Sequence, residues 1–340
     1  MKHFPVFALF LPVTILLTLT SPAALAQKIT TFDIPGGIAT TPTAITPSGQ
    51  VVGYYGDLKA LAVRGFLRNS NGKVVSIATP NSNYTIPTAV SPSGQIVGYS
   101  IGSVLSGVLQ PGFVRSPNGT ITMFEPFGAT NTYPESINAA GQVVGHWIDP
   151  GQFSHGFLRN SDGTIISFVV GSGGFPGTSD FAINDSGKST GFYDDDGSGE
   201  NGFLRLKDGK IKTFDVPGGK TTVPVAMDSR GRILGYYTDA NDHNHGFLRQ
   251  PDGKIETFDA PYAIRTWPVA INSRGQIAGF YADANSALHG FLREADGDTK
   301  TFDVPGSTST VPTAMNSSGE ITGAYIDSHG DQHGFVTGRF

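Results

Sequence analysis

The chain has 340 residues, 45 of them glycine and none cysteine, with 23 basic and 28 acidic side chains. An acidic balance without any Lys/Arg cluster argues against a nucleic-acid partner, because the charge that would neutralise phosphates is missing. No disulfide can staple the fold, so it must bury a large core. Abundant glycine and the lack of strongly helix-forming runs point to many short strands joined by tight turns.

Lys2 and His3 precede an apolar run from Phe7 to Leu19, and Ala24-Leu25-Ala26 forms a small-x-small site before Gln27. This is the pattern of a cleaved export signal over 1–26, and the apolar core is short for a bilayer anchor. No cysteine follows it, which excludes a lipoprotein anchor, and no later stretch is long and apolar enough to span a membrane. The expected mature protein is a single domain over 27–340, secreted or periplasmic and monomeric.

A repeat dominates the rest of the chain. Gly-Phe-Leu-Arg starts at Gly65, Gly156, Gly202, Gly246 and Gly290, with variants at Gly112 and Gly334, so seven copies recur at intervals of 44 to 47 residues. Turn glycines keep the same beat at Gly49, Gly94, Gly141, Gly187, Gly231, Gly275 and Gly319. Thr-Phe-Asp recurs at 31–33, 213–215, 257–259 and 301–303. The sixth copy resolves into four strands: Pro268 to Asn272, Gln276 to Tyr281, His289 to Arg293 and Thr299 to Val304. Asp296-Gly297 supplies the last hairpin, since glycine there tolerates the positive φ of a tight turn.

Only six Asn-Gly or Asp-Gly hairpins serve seven copies. The chain begins with a fourth strand, Ile29 to Ile34, and ends with a third, Gly334 to Phe340. Pairing the two completes a seventh blade and removes the open edges of the array. Repeats of this length with four strands each predict an all-β, seven-bladed β-propeller of antiparallel blades, closed through its termini.

The repeat resembles the HAF-repeat family of probable bacterial extracellular proteins, through His-Gly-Phe at 155–157, 245–247, 289–291 and 333–335 and through Ala-Ile-Asn and Gly-Gln-Ile at the inner hairpin. Glycine stands where the family name implies alanine. The resemblance covers nearly the whole mature chain and implies an extracytoplasmic setting without a defined activity.

Polar residues that recur once per copy read first as structure. Thr40, Thr85, Thr132, Thr178, Thr222, Thr266 and Thr310 suit a hydroxyl that satisfies a backbone group between blades. An aromatic-x-Asp pattern gives Asp57, Asp149, Asp195, Asp239, Asp283 and Asp327; His155, His245, His289 and His333 open the next strand. An Asp–His bond spanning the intervening loop is expected. No cofactor is expected. The one metal candidate is the oxygen-rich loop with Asp194, Asp196 and Glu200, whose alternation suits calcium.

Serine-hydrolase, zinc-protease and phosphate-loop patterns are absent from the sequence. The strand one-to-two and three-to-four turns are monotonous, whereas the other connections vary in length and chemistry, and variable loops on a regular scaffold are where binding residues tend to sit. Large side chains break the repeat on that face at Tyr84, Tyr133, Arg265 and Trp267. These suit stacking on sugar rings or a peptide, or else plug gaps between blades. The leading reading is a non-enzymatic binding module for a glycan or protein. Clustering of His146, Asp149 or Glu135 with Arg265 would favour a lyase or hydrolase acting on a polysaccharide or small molecule. A third alternative is a structural envelope or matrix protein.

Overall fold

A computed structural model describes residues 28–102, 110–171, 177–194 and 199–340. The expected export signal over 1–26 lies outside the described residues, as do parts of three variable loops. Among the described residues there are 28 strands and no helix, and hence no helix long and apolar enough to cross a membrane.

The strands run in antiparallel groups of four, the first six in chain order; single parallel pairs, Val63↔Tyr84 and Ser154↔Gly177, join the first group to the second and the third to the fourth in eight-stranded sheets. The first holds Gly37–Ile45, Val51–Asp57, Ala62–Arg68 and Val74–Ile77; the second Ser82–Val90, Ile96–Gly102, Gly112–Arg115 and Ile121–Phe124. The third is Asn131–Ile137, Val143–Ile148, Ser154–Arg159 and Ile165–Phe168; the fourth Gly177–Ile183, Ser189–Asp194, Asn201–Arg205 and Ile211–Phe214. The fifth comprises Thr221–Met227, Ile233–Thr238, Asn244–Arg249 and Ile255–Phe258, and the sixth Arg265–Ile271, Ile277–Ala282, Leu288–Arg293 and Thr299–Phe302. The last group joins Ser307–Met315, Ile321–Asp327 and Gln332–Thr337 to Ile29–Phe32 from the other end of the chain, in register from Ile29↔Thr337 to Phe32↔Gly334.

The first strand of each group starts earlier than its apolar pattern suggests, at Arg265 rather than Pro268 in the sixth. Proline has no N–H for the ladder and is tolerated at a bulge. The register shifts there at Pro42, Pro87, Pro134, Pro224, Pro268 and Pro312, and at Asp180 in the fourth group. First strands of successive groups touch, and Gly37–Ile45 also contacts Ser307–Met315. Thr313 donates to the Pro42 carbonyl at 3.0 Å and Asn316 to the Thr46 carbonyl at 3.0 Å, so the first and last groups are bonded directly.

The core is repeated along with the sequence. Phe66, Phe113, Phe157, Phe203, Phe247, Phe291 and Phe335 are fully buried, one per group. Arginines that close the Gly-Phe-Leu-Arg motif cap it, with Arg68 4.6 Å from the Phe32 ring centre and Arg249 4.7 Å from that of Phe214, a cation–π geometry. The recurrent threonines act on the backbone: Thr85, Thr178 and Thr222 accept from the amides of Thr79, Val170 and Val216 at 2.9 to 3.0 Å. Thr132 is the exception, its buried hydroxyl lacking a partner.

Candidate functional site

The expected Asp–His bond forms in the third group, where His155 Nε2 meets Asp149 at 3.0 Å. Elsewhere its main partner is different. His245, His289 and His333 place Nδ1 2.9 Å from Asp259, Asp303 and Asp33, the aspartates of Thr-Phe-Asp. The expected partners Asp239, Asp283 and Asp327 stand at 3.6 to 3.7 Å from Nε2. The third group has Val169 in the Thr-Phe-Asp aspartate's place, so His155 turns to the loop. Backbone amides hold Asp239 and Asp327 near a pKa of about 2, chiefly those of His243 and Asp331. Burial pulls the His333 imidazole down, but the Asp33 and Asp327 carboxylates outweigh it and leave its pKa raised. These carboxylates fasten hairpins rather than gather into one site. Among the described residues no three His, Cys, Asp or Glu side chains are placed to hold a metal. Asp196 of the calcium candidate lies outside the described residues, while the Glu200 carbonyl accepts the Thr222 amide at 2.7 Å.

A unique cluster arises where the third group departs from the repeat. The bulge position holds Thr43, Thr88 and Thr313 in three groups, and each hydroxyl donates to the proline carbonyl of the next group at 2.6 to 3.0 Å. Glu135 takes this place in the third group, and its Oε1 lies 3.7 Å from His146 Nδ1, beyond hydrogen-bond length. Tyr133 stacks on the His146 ring at 4.8 Å and meets Tyr99 edge-on at 5.1 Å. Burial pushes the Glu135 carboxyl up to about 8 and the His146 imidazole down to about 4. Desolvation penalises the charged form of each, giving a neutral acid beside a neutral base at pH 7. The side chains remain 25% and 18% exposed, so solvent reaches both.

A second displaced carboxyl is sealed in. Asp180 replaces the proline of the fourth group, is fully buried and accepts the Ser189 hydroxyl at 2.6 Å. Burial raises its pKa well above the ordinary carboxylate value, against the opposing pull of the Ser189 hydrogen bond and of Arg205.

The four side chains marked by the sequence do not form one site. Tyr84 and Arg265 are exposed, each near the start of a first strand. Tyr133 and Trp267 are half-buried; the ring contacts of Tyr133 run to Tyr99 and His146, and Trp267 stacks on Phe280 at 5.2 Å. Of the enzyme constellation only Glu135 and His146 meet. Asp149 is engaged by His155, and Arg265 stands on a strand of the sixth group.

The sequence reading missed another feature. Among the described residues, the large apolar side chains left in solvent are Ile38, Leu58, Leu61, Val75, Tyr84, Phe127, Ile166, Val169, Tyr262 and Ile264. Except for Val75 and Ile166 on outermost strands, all lie in the variable connections or in the first three residues of the strand after one. Phe127 and Leu61 are 103% and 84% exposed, and none of the set falls in a monotonous turn.

Comparison with solved structures gives similar folds. Virginiamycin B lyase from Staphylococcus aureus superposes with a TM-score of 0.58 at 13% identity, covering 92% of this chain and 99% of that one. A lectin from Burkholderia pseudomallei gives 0.57 at 12%, with 90% and 99% covered. For an acylaminoacyl peptidase from Pyrococcus horikoshii the values are 0.60 and 12%, with 89% of this chain matching 52% of that one. No family model matches the chain, and no curated protein does. The fold is of the β-propeller type. A lyase, a lectin and a peptidase share it, so the fold does not choose among activities.

Proposed function

We propose that this chain is an exported, closed seven-bladed β-propeller that acts as a binding module, presenting its variable-loop face to a glycan or a protein. Export rests on the signal pattern of residues 1–26. Closure rests on the pairing of Ile29–Phe32 with Gln332–Thr337 and on the bonds from the last group to the first. One observation carries the binding reading: large apolar side chains are left in solvent on the variable connections and kept out of the tight turns. Apolar side chains that gather on one face, as eight of these ten do, mark an interaction site.

A lyase or hydrolase is the second reading, favoured by the neutral Glu135 beside the neutral His146. It ranks lower because Arg265 and Asp149, which would complete the charge pattern, are placed elsewhere.

The test is a glycan array probed with the mature chain, with and without calcium to cover the Asp194, Asp196 and Glu200 loop. The variant Leu61→Ser/Phe127→Ser/Tyr262→Ser is expected to weaken a selective hit by at least about tenfold, the loss of a few buried apolar groups. The control Val75→Ser/Ile166→Ser should leave it unchanged. Equal effects of the two variants would contradict the assignment of the face, and a blank array would remove the glycan.

A further inference from the structure

Each second strand carries one side chain at the same register position, opposite the residue that precedes the bulge. In six groups that side chain is a ring: Tyr54, Tyr99, His146, Phe192, Tyr236 and Phe280. All are set by the same register, pairing in turn with Thr41, Ile86, Tyr133, Ser179, Val223 and Trp267. Two of these rings reach the next group, where Tyr99 meets Tyr133 and His146 meets Phe181. In the last group the position is Ala324, paired with Val311, and the residue it faces in the first group is Thr41. The other six groups carry a ring at this position; here two small side chains, Ala324 and Thr41, line one cavity.

The result is a cavity of about 480 Å³ between Ala324 and Val311 on one side and Thr41 and Tyr54 on the other. That volume lies in the range of small-molecule sites. No charged side chain lines it. Its walls are mainly apolar, and the polar edge is formed by Gln332, whose Nε2 donates to Thr41 Oγ1 at 2.6 Å, and by Thr313. Ile38, 51% exposed, stands at the rim beside the variable connections.

We propose that this cavity binds an uncharged aromatic ring, monocyclic or bicyclic, where the other six groups carry a ring of their own at the matching register position. The physical basis is that a half-open apolar pocket flanked by a tyrosine leaves its walls against water instead of packed atoms, and a ring takes that apolar surface out of water and packs against it. A charged ligand would lose hydration without gaining a counter-ion. The polar edge accommodates one hydrogen-bonding group, such as an indole N–H or a phenol hydroxyl. The site lies on the loop side of the molecule but does not use Leu61, Phe127 or Tyr262.

Indole and p-cresol are the probes, with benzoate and benzylammonium as charged counterparts, measured by calorimetry and by thermal unfolding of the mature chain. Binding of both uncharged rings is expected with Kd on the order of 0.1–1 mM, as suits ligands of this size. The charged pair should bind at least about tenfold more weakly. Ala324→Phe should abolish ring binding and raise the thermal midpoint of the free protein; Ala324→Leu, a smaller filling, serves if the first variant fails to fold. Equal affinity in wild type and filled variants, or no uptake of either ring, would overturn the proposal. Ring binding that survives Leu61→Ser/Phe127→Ser/Tyr262→Ser separates this cavity from the loop-face reading, so each can fail alone.

Discussion

Phe157→Ala is expected to lower the unfolding free energy by about 3–5 kcal/mol, the cost of emptying a close-packed aromatic site. Phe157 has no exposed surface and packs against Val97, Ile137 and Val143, of which Val97 belongs to the preceding group. Phe124, also from that group, meets its ring edge-on at 5.9 Å. The register partner of Phe157 is Gly145. A Cβ on Gly145 would overlap the Tyr133 carbonyl oxygen, so the backbone there is already at closest approach and has little room to fall into the hole. The same truncation at Phe127, which is fully exposed, should change stability by less than about 0.5 kcal/mol. Urea titration of both variants checks this; comparable losses would mean that the packing is misassigned.

Glu135→Gln should stabilise the protein at alkaline pH and leave it unchanged under acid conditions. The folded-state carboxyl titrates at about 8 against an ordinary value of 4.5. Folded protein therefore keeps a proton that the unfolded chain releases, and stability falls as pH rises from about 4.5 towards 8. Glutamine has no proton to release, so the variant escapes that loss, by roughly 3 kcal/mol at pH 7 on the conversion of 1.4 kcal/mol per pH unit. His146 acts in the opposite window. Its pKa drops from 6.5 to about 4, so protonation favours the unfolded chain as pH falls through that range. Denaturation midpoints at pH 4, 6 and 8 read both effects. Curves for wild type and Glu135→Gln that run parallel would show that the carboxyl is not desolvated.

The frame of this molecule was legible because its constraints recur. Gly-Phe-Leu-Arg, with its two variants, and the turn glycines recur in every copy and Asn-Gly or Asp-Gly in six of the seven, and the orphan strands at the two ends named each other as partners. The threonine hydroxyls were legible for the same reason. What escaped depends on geometry across strands. Asp259 lies 14 residues from His245 and becomes its partner only through the antiparallel register that sets Gly246 opposite Phe258. Glu135 was marked as a polar candidate, but its contact with His146 is produced by the bulge after Pro134, which no local pattern announces. The cavity at Ala324 is the absence of a side chain. Alanine in a strand is unremarked until all seven second strands are aligned and six show a ring.

The most direct test of the architecture uses the absence of cysteine from the chain. Thr30 and Val336 are register partners in the pair that joins the two termini. Antiparallel partners have Cα separations of about 4.5–5.5 Å, within reach of a disulfide. The mature Thr30→Cys/Val336→Cys variant, oxidised and analysed by non-reducing electrophoresis and mass spectrometry, is predicted to form one intramolecular bond in nearly every molecule. Its denaturation midpoint should rise, since the bond closes a loop of almost the entire chain. Free thiols in the folded monomer, or crosslinks only between molecules, would contradict closure of the propeller through its own termini.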